Sequence, residues 1–147
     1  MSQIEWDGSY SVGNPEIDEQ HKRWIELFNR MDERMLAGDQ TALRNLASDS
    51  LNEMMEYTKY HFEQEEDYLR KIGYPEIRQH IRLHRNFEAQ VHQYDREIRD
   101  GLIVLNSRIV KTIRNWLVNH ILVEDRKYSQ FAAGARHSQP GIPRNTD

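Results

Sequence analysis

Apolar side chains recur every three or four residues along four long stretches of this chain, the period of an amphipathic helix that buries one face. One stretch reads Ile17, His21, Trp24, Phe28, Met31, Met35; a second reads Ala47, Leu51, Met54, Thr58, His61, Glu65, Tyr68, Ile72. A third reads Ile77, His80, His84, Phe87, Val91, Tyr94, Ile98, and the last Ile109, Ile113, Trp116, His120. Glycines 38, 73 and 101 punctuate these stretches, each where a helix C-terminus can close in a left-handed conformation. The pattern predicts helices over about residues 18–37, 41–72, 76–100 and 106–127. Asp18 and Asn106 or Ser107 are the expected N-caps, and Pro75 suits the start of the third helix. No alternating β-branched run competes. Four helices with short connections predict an all-α, up-down-up-down antiparallel four-helix bundle, preceded by an N-terminal loop arm.

The seam itself is unusual. His21, His61, Glu65, His80, His84 and His120 all occupy positions that should be apolar. Unpartnered, such groups would together cost several kcal/mol, about as much as a small domain's whole stability. Something must satisfy them jointly. His61-x-x-x-Glu65 and His80-x-x-x-His84 each set two donors one turn apart on a helix face, while His21 and His120 add one donor each from the other helices. Imidazoles and a carboxylate converging from four helices describe a metal site. His92 and His137 fall on an outer face and in the tail, where a solvated role suffices.

Composition narrows the chemistry. The chain has 147 residues, one domain's length, and about 70% of the unfolded surface of such a chain is buried on folding. With no cysteine, disulfides, thiolate metal sites and cysteine nucleophiles are excluded. Twenty basic against 24 acidic residues give a net charge of −4, which argues against nucleic-acid binding. The opening residues show no secretory pattern and no run of about 18 apolar residues occurs, so a cytoplasmic domain without membrane insertion is expected. Residues 1–133 are read as the bundle, and 134–147, with two prolines and little apolar content, as a disordered tail. A monomer is the default.

The segments V-G-N-P-E-I-D-E-Q-H (12–21), H-F-E-Q-E-E (61–66), Y-P-E-I-R-Q-H-I-R-L-H (74–84) and W-L-V-N-H-I-L-V-E-D (116–125) together resemble the hemerythrin family, specifically its single-domain bacterial members. The resemblance implies two non-haem iron ions joined by a bridging oxo or hydroxo group. It assigns His80, His84 and His120 to one iron, His21 and His61 to the other, and Glu65 and Asp125 as bridges. Two octahedral ions so ligated have every position filled but one, on the iron with two histidines, where a small ligand can bind. Helical spacing alone would have chosen Glu124, four residues after His120, since Asp125 lies roughly 140° further round an ideal helix. The family pattern has the aspartate five residues on. Asp125 is therefore taken as the bridge and Glu124 as a solvated neighbour.

The resemblance also implies reversible O2 binding for carriage, storage or delivery to an oxygen-consuming oxidase or monooxygenase, rather than enzymatic turnover. Trp24, Phe62, Trp116, Leu117 and Ile121 resemble the family's oxygen-pocket positions, which also suit ordinary core packing. Sensing of O2, nitric oxide or iron, and a di-iron peroxidase or oxidase activity, stand as alternatives. A ferritin-like site would need Glu-x-x-His and a zinc hydrolase His-Glu-x-x-His; neither occurs.

Overall fold

The computed structural model describes residues 3–36 and 40–137. Its helices are α1 (Pro15–Leu36), α2 (Gln40–Ile72), α3 (Ile77–Arg99), α4 (Ser107–Asn119) and α5 (Arg126–His137), with a π-helical segment, His120–Asp125, joining the last two without a break. The uninterrupted run 107–137 acts as one rod. Packing closes a ring: α1 lies against α2 and α4, and α3 against α2 and α4. This is the antiparallel four-helix bundle expected, with no strand among the described residues.

Local chemistry sets the helix ends, with two corrections. Asn14, not Asp18, caps α1: its Oδ1 accepts from the backbone N–H of Glu16 at 2.9 Å and of Ile17 at 3.2 Å. Pro15 then occupies the first helical position, where its missing N–H costs nothing. Asp18 instead reaches back, accepting from Val12 N at 2.8 Å and Ser11 Oγ at 2.6 Å. Asn106 caps α4 as expected, accepting from Ile109 N at 3.0 Å. Gly73 and Gly101 adopt φ of 68° and 75°, the left-handed turn their positions predict. Gly38 and the side chain of Ala47 lie outside the described residues. The last rod runs to His137, ten residues beyond the helix end that periodicity gave and past Gly134, where the tail was expected to begin. Residues 138–147 are not described.

The N-terminal arm is tied down at both ends. Asn29 exchanges two hydrogen bonds with the backbone of Ile4, at 2.8 and 2.9 Å. Arg126 Nη2 donates to Ser9 O at 2.8 Å, and Ser129 Oγ to Val12 O at 2.9 Å.

The core comes in two parts. A large apolar cluster includes Trp24, Phe28, Met31, Leu51, Met54, Phe62, Phe87, Val91, Ile113, Leu117 and Ile121. A smaller one holds Val12, Ile17, Leu69, Tyr74 and Tyr128. Each rod passes through both, and buried histidines and acids fall between them: His21 lies between Ile17 and Trp24, Glu65 between Phe62 and Leu69, Asp125 between Ile121 and Tyr128. Apolar layers above and below therefore exclude water from a polar layer in the middle.

Candidate metal centre

All seven residues of the expected ligand set meet in that layer, each no more than 2% exposed. Two groups form, Glu65 with His80, His84 and His120, and Glu65 with His21 and His61, their ligand atoms within 4.8 Å of one another in each group. Glu65 is common to both. Its Oε1 lies 3.1 Å from His80 Nε2 and 3.0 Å from His84 Nε2, while Oε2 faces His21 Nε2 at 3.5 Å and His61 Nε2 at 3.6 Å. Asp125 repeats the division: Oδ1 lies 3.1 Å from both His80 and His120 Nε2, and Oδ2 lies 3.1 Å from His21 Nε2. Each carboxylate thus reaches one histidine group with one oxygen and the other group with the second: Glu65 faces two imidazoles on either side, and Asp125 faces two with Oδ1 and one with Oδ2.

The π-helical segment explains Asp125. A π turn closes its backbone hydrogen bonds one residue further along than an α turn, so the fifth residue after His120, rather than the fourth, returns to the same face. Glu124 is turned outward and pairs with Lys127 at 3.2 Å.

Further side chains that sequence reasoning did not single out brace the imidazoles. Gln20 Oε1 accepts from His61 Nδ1 at 2.8 Å. An amide oxygen only accepts, so that proton sits on Nδ1 and Nε2 presents its lone pair inward. Glu66 Oε2 does the same for His84 Nδ1 at 2.7 Å, and Arg85 Nη2 donates to both Glu66 oxygens at 2.6 Å. Tyr128 donates its hydroxyl proton to Glu65 Oε2 at 2.7 Å. Gln20 and Glu66 directly adjoin His21 and Glu65 in sequence. Each braces a histidine on the next helix, which no single-helix pattern reveals.

The electrostatics are those of a site built for positive charge. At His21 burial opposes protonation, but the negative charge of the neighbouring Asp125 and Glu65 carboxylates outweighs it and raises the pKa to about 9. The same contest at His80 ends at about 10. At His61 burial wins and the pKa falls to about 3; His120 is also lowered, chiefly by burial. Burial would raise Glu65 and Asp125, yet the surrounding imidazoles hold both below the usual carboxylate range. Even so, His21 Nε2, His61 Nε2 and both Asp125 oxygens are buried without a hydrogen-bond partner among the described residues. Buried polar groups are rarely left so. Orphaned imidazole nitrogens and carboxylate oxygens facing one point are the donor set of a transition-metal ion, and the residues fit one.

Aromatic rings wall this layer. Phe62 stacks on His84, centroids 3.7 Å apart and planes within 1°, and Trp116 stacks on His120 at 4.4 Å. Trp24 lies 5.1 Å from His61 and 5.4 Å from Phe62, its Nε1 donating to Thr58 Oγ1 at 2.8 Å. Leu117 and Ile121 are buried in the same cluster. Phe87, stacked on Trp116 at 3.9 Å, belongs to this wall, although its helical spacing marks it only as core.

Known proteins resemble this chain in sequence and in fold. The family model of the hemerythrin HHE cation binding domain matches residues 12–132. A hemerythrin-like protein of Naegleria gruberi is 33% identical over 129 residues, 86% of this chain and 92% of that protein. A bacteriohemerythrin of Stenotrophomonas maltophilia is 29% identical over 130 residues, covering 88% of this chain and 81% of its own length. The crystal structure of a wild-type hemerythrin superposes with a TM-score of 0.79 over 86% of this chain and 95% of that one; at 23% identity, that likeness concerns the fold. The chain belongs to the hemerythrin family, with the histidine–carboxylate cluster of a metal-binding, non-haem iron member at its centre.

Proposed function

We propose that this protein binds O2 reversibly at a pair of non-haem irons. His80, His84 and His120 would hold one ion, His21 and His61 the other, and Glu65 and Asp125 would bridge them. The observation that carries this reading is the division of both carboxylates between the two histidine groups: Glu65 sets one oxygen near His80 and His84 and the other near His21 and His61, and Asp125 sets one near His80 and His120 and the other near His21. A single-metal site would draw both oxygens of a carboxylate, or one alone, to one centre.

A pair of ferrous ions, when bound, supplies the electrons that O2 takes up and gives back. The protein's own part is geometric and protective. Gln20 and Glu66 fix the tautomers of His61 and His84. Phe62, Trp116 and Trp24 cover ring faces of the ligand histidines, which keeps out the water and anions that would turn reversible binding into permanent oxidation. Trp24, Phe62, Trp116, Leu117 and Ile121 are the residues we assign to the oxygen pocket, on the side of the large apolar cluster. The oxygen so held would be carried, stored or passed to an oxygen-consuming oxidase or monooxygenase in the cytoplasm. Among the described residues no helix is long and apolar enough to cross a membrane.

An anaerobic optical titration tests this. The ferrous protein should change its spectrum on exposure to O2 and recover it under vacuum through repeated cycles. A single irreversible oxidation would overturn carriage in favour of an oxidase-type activity.

A further inference from the structure

The two histidine groups differ in how they are braced. His84, in the group of three, donates its Nδ1 proton to a carboxylate, Glu66, whose side chain is 6% exposed. Arg85 grips both oxygens of that carboxylate through Nη2 and is itself anchored by Nη1 to Glu88 at 2.6 Å. The acceptor is therefore anionic, oriented and unable to turn away. His61, in the group of two, donates to the neutral amide of Gln20. Gln20 also lines a surface cleft with Asn14, Ile17, Gln64, Tyr68 and Lys71, so solvent reaches the wall of its brace.

An anionic acceptor draws an imidazole N–H proton more strongly than an amide does, leaving the opposite nitrogen richer in electron density and a better metal donor. Resting on the two-metal reading above, we propose that Glu66, locked by Arg85, makes the three-histidine position the tighter and first-filled of the two. The two-histidine position has a neutral brace and is filled last and emptied first. Glu66 is a positioning and tuning residue acting through His84.

The test is calorimetric titration of the metal-free, full-length chain with Fe2+ under argon. Wild type should bind two ions in two resolved steps. Glu66→Gln keeps the shape and the hydrogen bond but removes the charge, and should weaken the first step by about 10- to 100-fold, leaving the second unchanged. Gln20→Glu should tighten the second step by about tenfold. In a His61→Ala background, which removes a ligand of the weaker position, the surviving step should be the tight one and should keep its sensitivity to Glu66→Gln. Unchanged isotherms for Glu66→Gln would overturn the proposal. So would equal weakening of both steps accompanied by a lower unfolding temperature of the metal-free chain, which would mark Glu66 as merely structural. A wild-type chain that binds fewer than two ions would overturn the two-metal reading itself, and this ordering with it.

Discussion

Tyr128 and Glu65 are 63 residues apart in sequence, yet the phenol hydroxyl donates to Glu65 Oε2 across 2.7 Å, both side chains being fully buried. Among the described residues this is the one hydroxyl donor to a carboxylate otherwise faced by imidazoles, and the surroundings push the Tyr128 pKa well up, so the phenol stays protonated. Tyr128→Phe should lower the stability of the metal-free chain by about 1.5–3 kcal/mol, the range for a hydrogen bond to a charged group. Urea unfolding measures that loss. Metal content should remain at two ions per chain, because the hydroxyl is not counted among the ligands.

Sharing of Glu65 between the two histidine groups gives an asymmetric expectation. His61→Ala deletes a ligand from one group only and should leave about one iron per chain. Glu65→Ala strips both and should leave almost none, with a loss larger than removal of any single imidazole. Elemental analysis of purified protein decides. Equal losses in the two variants would contradict a bridging role for Glu65.

Asp125 and Glu124 test the π-helical turn directly. Glu124→Gln removes only a partly exposed pair with Lys127, worth about 0–1 kcal/mol, and should leave metal binding intact. Asp125→Ala removes a buried carboxylate that faces both groups and should abolish retention of at least one ion. The reverse pattern would restore the assignment that ideal helical spacing favours.

The histidines predict how pH acts, and the sign follows from which state holds more protons. His21 and His80, at about 9 and about 10, hold protons in the folded metal-free chain that the unfolded chain, near 6.5, releases first. Their stabilisation is complete below about pH 6.5 and is lost as pH rises through 9 to 10. His61, lowered to about 3, acts oppositely: it contributes above about 6.5, and that contribution is lost as pH falls toward 3. Ligating imidazoles must be neutral, so metal displaces the protons of His21 and His80. Metal uptake near pH 7.5 should release at least two protons per chain, affinity should climb with pH, and the alkaline loss of stability should vanish once metal is bound. Titrations in buffers of different ionisation heat count the protons. Uptake without proton release would contradict the electrostatics of the site.

What the sequence determined by itself was the angular arrangement within each helix. A spacing of three and four residues fixes which side chains share a face, so His61 with Glu65 and His80 with His84 could be matched, and their burial in a seam could be inferred from the apolar residues around them. The same spacing misplaced the cap of α1 and stopped the last rod ten residues early, because Asp18 and the segment after residue 127 take their roles from contacts with the N-terminal arm. Packing between helices settled the rest. The switch of backbone hydrogen bonding at residues 120–125 leaves no trace in an average period, although it determines which acid faces the centre. The bonds Gln20–His61, Glu66–His84 and Tyr128–Glu65 depend on the offset and rotation of one helix against the next. Periodicity describes a helix about its own axis; the distance between two axes arises only when all four pack around a common core.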